Sequence, residues 1–338
     1  MFDGVTSYKD IQRETGLSLS TISKYFNGAN VRDANRVAIE EAARALNFRP
    51  NGFARSLRLR RSHTIGVLLP ALRNEFHLTI IAGVEEALRA AGMSLIVASS
   101  PGADDNAVDL LLSRMVDGII AVPSPHDVVR LSEAAERVPV VIIDWEAPIS
   151  RADGVFLDNR AAGAMGARHL LDHGHQRIGI VGGDRTISTV RLRADGATDQ
   201  LAMAGADQDP PLVTAGPLTV EEGQTAMNRL LALHPRPTGV FALNYELTIG
   251  ALIAINQSGL RLGRDISLVG FDGPELARAT NPRLTIVTQP TREIAAEAAA
   301  FTLRRLREED HGPGETRLMS PDLSIGQSVV RPEEPAGA

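Results

Sequence analysis

The chain has 338 residues, of which 43% are hydrophobic, 22% charged and 4% aromatic, and it contains no cysteine. That is a globular balance with length for two or three domains, and it excludes a disulfide framework and a cysteine-held zinc site. The formal net charge of −6 hides a split, because residues 1–63 carry +5 and the remainder −11, so a basic leading segment precedes an acidic body.

In chain order, the leading segment reads as helices alone. Tyr8–Thr15 turns Ile11 inward and stops at Gly16. Ser18 has the hydroxyl that an N-cap needs, since it accepts from the free N–H groups of the next turn. Leu19–Phe26 follows, with Ile22 and Phe26 four apart on one face, and Asn27-Gly28 closes it. A third helix is expected over about Asp33–Leu46, with Val37, Ala42, Ala43 and Leu46 facing inward. Two short helices joined at Gly16 and braced by a third make a helix-turn-helix plan. Pro50 breaks the pattern, Asn51–Leu57 restarts as a short helix, and Arg58–Ser62 is a linker.

From Thr64 the texture changes. Apolar runs at Ile65–Leu69, Leu95–Ala98, Gly118–Val122 and Val140–Ile143 alternate with amphipathic helices near Thr79–Ala91, Ala107–Met115 and Val128–Arg137. A second series uses Ile178–Val181, Gly239–Leu243 and Ser267–Gly270. Short buried runs spaced by helices predict parallel sheets of βαβ units, in two lobes. No run approaches the ~20 apolar residues that span a bilayer, and the N-terminus carries no export-type apolar stretch, so a cytoplasmic protein is expected.

The order of the residues carries a family likeness. Ser7–Ile11, Gly16–Lys24 and Asn27 resemble the DNA-binding signature of the lactose-repressor/galactose-repressor (LacI/GalR) family. Asn47–Asn51 with Ala54–Leu57 resembles that family's hinge. Core phrases follow in the same order: Val155 to Asp158-Asn159 and Gly163; His169-Leu170 with Gly174-His175 and Ile178; Gly182-Gly183; Gly270-Phe271-Asp272; Pro282, Leu284-Thr285 and Gln289-Pro290. The likeness runs from about residue 5 to 330. It implies an all-α helix-turn-helix DNA-binding domain (1–48), a hinge helix and linker (49–62), and an α/β two-lobed periplasmic-binding-protein-like core (63–338). Lobe 1 would take about 63–160 and 292–321, and lobe 2 about 161–291 and 322–331. The implied function is a repressor that binds a palindromic operator as a homodimer, or as a tetramer, under a small carbohydrate-like effector held between the lobes. No cofactor, metal, membrane or catalysis is expected.

On that reading Leu19–Phe26 is the recognition helix. Leu19 and Ser20 face base edges, Lys24 a phosphate or guanine edge, and Tyr8, Ser18, Thr21 and Ser23 position phosphates. Asn27 belongs to the same signature. The likeness places Asn51, Ala54, Arg55 and Leu57 in the minor groove, with Leu57 as the residue that wedges into a base step.

Open α/β sheets bind ligands at the carboxyl ends of their strands. There Phe76 is either a stacking face for a sugar or local packing, and Trp145, the sole tryptophan, is either a stacking platform or core. Arg193 matches the family's ligand-binding arginine, with Arg191 as the nearby competitor, and Asp272 matches another pocket position. Asp158 reads as structural. Asn244-Tyr245-Glu246 departs from the family's usual Asn-Asp, so Tyr245 replaces an acidic contact. Arg73 and His77 add cationic capacity, which brings sugar acids and sugar phosphates in beside neutral sugars. His173 and His175 are too close for helix-face metal ligation, and Gly179–Gly183 lacks the dinucleotide fingerprint. A transport-type solute-binding protein is the alternative. It would share the core but not the first 57 residues.

Overall fold

The computed structural model describes residues 6–26, 29–48, 61–72, 74–102, 106–145, 149–206, 213–307 and 312–332. The chain divides into two compact units, residues 1–62 and 63–338.

In the first unit, Tyr8–Thr15 (α1), Leu19–Phe26 (α2) and Asp33–Ala45 (α3) form the helices. The Asp10 carboxylate accepts from both the N–H and the hydroxyl of Ser7 at 2.8 Å, which fixes the start of α1. Gly16 ends it at φ 68°, a left-handed position where a side chain would be strained, and its N–H returns to the Gln12 carbonyl at 2.8 Å. Ser18 Oγ then accepts from the Thr21 N–H at 3.2 Å and opens α2. Ile11, Ile22 and Ile39 are fully buried, one from each helix, with Ala42 beside them. The Tyr8 ring stacks on Phe26 at 5.4 Å, and Phe48 closes the cluster 5.1 Å from Phe26. One expectation fails. Val37 is 46% exposed, and Ile39 takes the core position. Ile39, Ala42, Ala43 and Leu46 follow i, i+3, i+4, i+7 spacing, and Val37 lies two residues off that stripe, about 200° around the helix.

The second unit carries two sheets. The first has strand order β10-β5-β4-β3-β1-β2, built from Thr64–Leu69 (β1), Ser94–Ser99 (β2), Gly118–Ala121 (β3), Val140–Ile143 (β4), Asp153–Leu157 (β5) and Thr316–Met319 (β10). All its pairings are parallel. The second has order β11-β9-β8-β7-β6, from Ile178–Val181 (β6), Gly239–Ala242 (β7), Ser267–Phe271 (β8), Thr285–Thr288 (β9) and Asp322–Ser324 (β11), the last antiparallel.

Helices cover both faces of each sheet, as parallel strands require. On the first sheet, Glu75–Ala90 (α4) and Thr291–Arg305 (α12) pack on one face, with Ala107–Ser113 (α5) and Val128–Ala135 (α6) on the other. On the second, Asn159–Asp172 (α7) and Ser188–Met203 (α8) cover one face. Val220–Leu231 (α9), Tyr245–Ser258 (α10) and Pro274–Ala279 (α11) cover the other. The chain passes between the sheets three times: after β5 at Asp158, after β9 at Gln289-Pro290, and between β10 and β11. The helix expected from Thr79 starts four residues earlier, because Asn74 Oδ1 accepts from the His77 N–H at 3.3 Å and caps it there. No helix among the described residues is long and apolar enough to cross a membrane.

Candidate functional site

One cavity of about 230 Å³ lies between the two sheets of the second unit. Apart from Leu218, which precedes the helix Val220–Leu231, the lining segments follow the carboxyl ends of strands, as expected for open α/β sheets. Pro70 and Asn74–His77 follow β1, Val122–Pro125 follow β3, and Asp144-Trp145 follow β4. From the second sheet come Arg193 after β6, Asn244-Tyr245 after β7, Asp272 after β8 and Gln289 after β9. Six of the sequence candidates therefore meet in one place: Phe76, Trp145, Arg193, Asn244, Tyr245 and Asp272. Arg73 lies outside the described residues.

Arg193 is the central cation. Its side chain is 4% exposed, whereas Arg191 points to solvent. Nε donates to Asn159 Oδ1 at 2.8 Å and Nη1 to the Leu243 carbonyl at 3.1 Å. Nη2 lies 3.9 Å from Asp144 Oδ1. The guanidinium rests 3.8 Å above the Phe271 ring, a cation–π contact. Burial works against its charge, and Asp144 and Asp272 sustain it. Its helix is held unusually close to α7. A methyl group on Gly163 would meet the Arg193 carbonyl oxygen at 1.9 Å, and one on Gly196 would meet the Arg160 carbonyl oxygen at 2.0 Å. Only glycine at both points lets the two backbones touch and brings Arg193 to the cavity wall.

The two acids sit on unusual backbone. Asp144 has φ 68° and Asp272 φ 59°, each immediately after a parallel strand. Asp tolerates the left-handed region better than most residues, and the turn delivers each carboxylate toward the cleft. Asp272 Oδ2 accepts from Gln289 Nε2 at 2.8 Å. Enclosure pushes the Asp272 carboxyl up to about 6, with Arg193 and the Gln289 bond pulling it back. Gln289 lines the cavity, and its Oε1 is buried with no hydrogen-bond partner.

The opposite lobes meet at Glu246. Asn244 Oδ1 caps α10 by accepting from the Leu247 N–H at 2.8 Å, and its Nδ2 donates to Glu246 Oε2 at 2.6 Å. Asn74 Nδ2, from the first lobe, donates to Glu246 Oε1 at 2.8 Å. Asn244 thus lines the cavity with its amide already engaged. The Tyr245 ring packs on Gly273, where a methyl group would fall 2.5 Å from the ring. Burial raises the Tyr245 hydroxyl's pKa, and the Glu75 carboxylate across the cleft adds to that. In the Asn244-Tyr245-Glu246 phrase Tyr245 lines the cavity, whereas Glu246 accepts from Asn74 of the first lobe.

Asp158 caps α7 by accepting from the Ala161 N–H at 2.9 Å, the structural role expected of it. His175 is buried, with Nδ1 2.9 Å from Thr238 Oγ1, and His173 Nδ1 lies 2.8 Å from the His169 carbonyl. Sequence reasoning passed over Asn159, Asp144 and Gln289. Asp144 carried a signal in directly following a strand beside Trp145, and Asn159 and Gln289 carried one in standing within the family phrases Asp158-Asn159 and Gln289-Pro290.

On the first unit, Leu19, Ser20 and Lys24 are exposed on α2; Ser20 and Lys24 lie opposite buried Ile22, and Leu19, three residues before Ile22, flanks the buried face. Ser18 Oγ lies 2.8 Å from Ser20 Oγ and 2.9 Å from Thr21 Oγ1, so three hydroxyls cluster at the start of that helix. Ser23 is partly buried, and the Tyr8 ring belongs to the aromatic cluster. Asn27, Asn51, Ala54, Arg55 and Leu57 lie outside the described residues.

A three-helix reading unit and a two-sheet core that holds a cavity between its sheets define a class, the regulators that couple DNA contact to a small molecule. Residues 167–329 match the periplasmic binding protein-like domain. The chain is 30% identical over 334 residues to the HTH-type transcriptional repressor PurR of Mannheimia succiniciproducens, covering 97% of this chain and 99% of that one. It is also 30% identical over 329 residues to the ribose operon repressor of Haemophilus influenzae, covering 96% and 99%. The crystal structure of the lac repressor dimer bound to operator and the anti-inducer ONPF superposes with a TM-score of 0.85 at 25% identity, covering 97% of this chain and all of that one. The chain belongs to the LacI/GalR family of transcriptional regulators.

Proposed function

We propose that this chain is a cytoplasmic, non-catalytic repressor that binds a palindromic operator as a homodimer and changes its operator affinity when a small carbohydrate-like effector occupies the cleft. The observation that carries the reading is the buried Arg193, braced by Asn159 and the Leu243 carbonyl, with Nη2 beside Asp144 at a cavity that Asp272 also lines. A buried charge so fixed has a planar fork suited to vicinal hydroxyls. Phe76, Trp145 and Tyr245 supply flat apolar faces at the same cavity, and Asp144 and Asp272 supply acceptors. The lac repressor structure is a dimer on an operator, and two-fold symmetry matches two half-sites.

On the DNA side, Leu19 offers apolar contact to a thymine methyl, Ser20 bonds several bases, and Lys24 meets a phosphate or guanine edge. Ser18, Thr21, Ser23 and Tyr8 set register on phosphates, and Asn27 completes the signature. Asn51, Ala54, Arg55 and Leu57 form the hinge, with Leu57 as the wedge. A gel shift with a palindromic probe tests this. The full chain should bind as a dimer, and Leu57→Ala should weaken operator binding while ligand binding stays unchanged. Equal operator affinity in the variant would remove the wedge.

A further inference from the structure

Two helices from opposite lobes begin at the same point of the cleft. Asn74 caps α4 and Asn244 caps α10, and both residues line the cavity. Helix N-termini carry partial positive charge and favour anions. Two of them flanking one point, each with an amide N–H₂ to spare, make a natural seat for the phosphate or carboxylate of a ligand. That seat is taken. The Glu246 carboxylate accepts from Asn74 at 2.8 Å through one oxygen and from Asn244 at 2.6 Å through the other. The remaining charge is matched in the same way. Glu75, in the first turn of α4, faces the Tyr245 hydroxyl. Arg193, the one arginine or lysine among the described residues lining the cavity, is countered by Asp144 and Asp272. The other charged side chains lining the cavity beside Arg193 are carboxylates, Asp144 and Asp272, which accept hydrogen bonds.

We infer that Glu246 sets the charge class of the effector: it is a built-in anion that fills the seat at the two helix N-termini, so the cleft takes an uncharged ligand rich in hydrogen-bond donors and rejects phosphorylated and carboxylated ones. The inference rests on the cleft being the effector site. It selects neutral sugars over the sugar acids and sugar phosphates that Arg73 and His77 bring in on sequence grounds. His77 Nδ1 lies 3.1 Å from the Ala71 carbonyl, so that ring nitrogen is committed within the protein.

The test uses the full chain, as wild type, Glu246→Ala and Glu246→Ser, each checked for a cooperative melt. Inorganic phosphate and D-gluconate are titrated by calorimetry and thermal shift against chloride at matched ionic strength. The wild type should respond to neither beyond the chloride control. Both variants, with the seat vacated, should bind the two anions at least about tenfold more tightly than the wild type. Asn74→Ala, which keeps the Glu246 carboxylate, should not gain them. Saturable binding of either anion to the wild type at the cleft overturns the role of Glu246 but leaves the effector site standing. Variants that match the wild type in both titrations overturn it too. Failure of the effector site itself reads out elsewhere, as a ligand response that does not depend on Arg193.

Discussion

At the scale of single residues, Arg193 is the residue on which the proposed effector binding turns. Replacing it with alanine removes a buried charge-assisted contact, and the loss of effector affinity should be roughly 2–5 kcal/mol with operator binding retained. Calorimetry on the core checks this, and unchanged affinity would take Arg193 out of the site. Asp272 makes a pH prediction. Its folded value of about 6 stands above the ordinary 3.8, so the folded chain takes up this proton more readily than the unfolded one. The stability linked to it is therefore full below the ordinary value and lost as pH rises through about 6. His175 runs the other way. Burial lowers it from 6.5 to about 4, so its contribution is full above 6.5 and lost as pH falls toward 4. Between about 4 and 6 the two oppose each other. Asp272→Asn removes one of them, so melting temperature should rise more steeply with pH in that variant than in the wild type. Parallel slopes would contradict the assignment. Phe76, Trp145, Asn244 and Tyr245 were legible because they follow closely on apolar runs, where a strand's end marks a ligand position, and Arg193 and Asp272 because they match the family's phrases. The roles of Asn159, Gln289 and Glu246 were not, because each depends on a partner 17 to 172 positions away.

Elements carry these side chains to their places, and the tightest constraint is the crossing of α7 and α8. Backbone touches backbone at Gly163 and Gly196, so Gly196→Ala must push α8 outward and Arg193 with it. Overpacking of this kind costs about 1–3 kcal/mol. The melt should drop accordingly, and effector affinity should fall although residue 196 does not line the cavity. A variant with a lower melt and intact affinity would separate the crossing from the site. The first two helices were readable to the residue and the third to within one residue at its end, because Gly16 and Ser18 are local signals whose physics needs no distant partner. Val37 was misread because apolarity was counted without its angle around the helix. β5, β9, β10 and β11 were not read as strands: β5 and β9 are buried but short, β10 and β11 are mostly exposed, and nothing in a short edge strand's own composition marks which sheet it joins.

For the whole molecule, the three passages between sheets and the Asn74–Glu246 bond make the core a pair of lobes joined at a hinge and tied across the cleft. A ligand there gains contacts to both lobes at once, and lobe geometry is what it can alter. If that change reaches operator affinity, ligand and DNA are linked by a coupling free energy that acts in both directions. The direct measurement is an operator titration of the full chain, with and without a ligand identified by thermal shift on the core, in wild type and Arg193→Ala. Saturating ligand should change wild-type operator affinity by about 5- to 150-fold and leave the variant's unchanged. A ligand that fills the wild-type cleft and leaves operator affinity where it was would contradict the account.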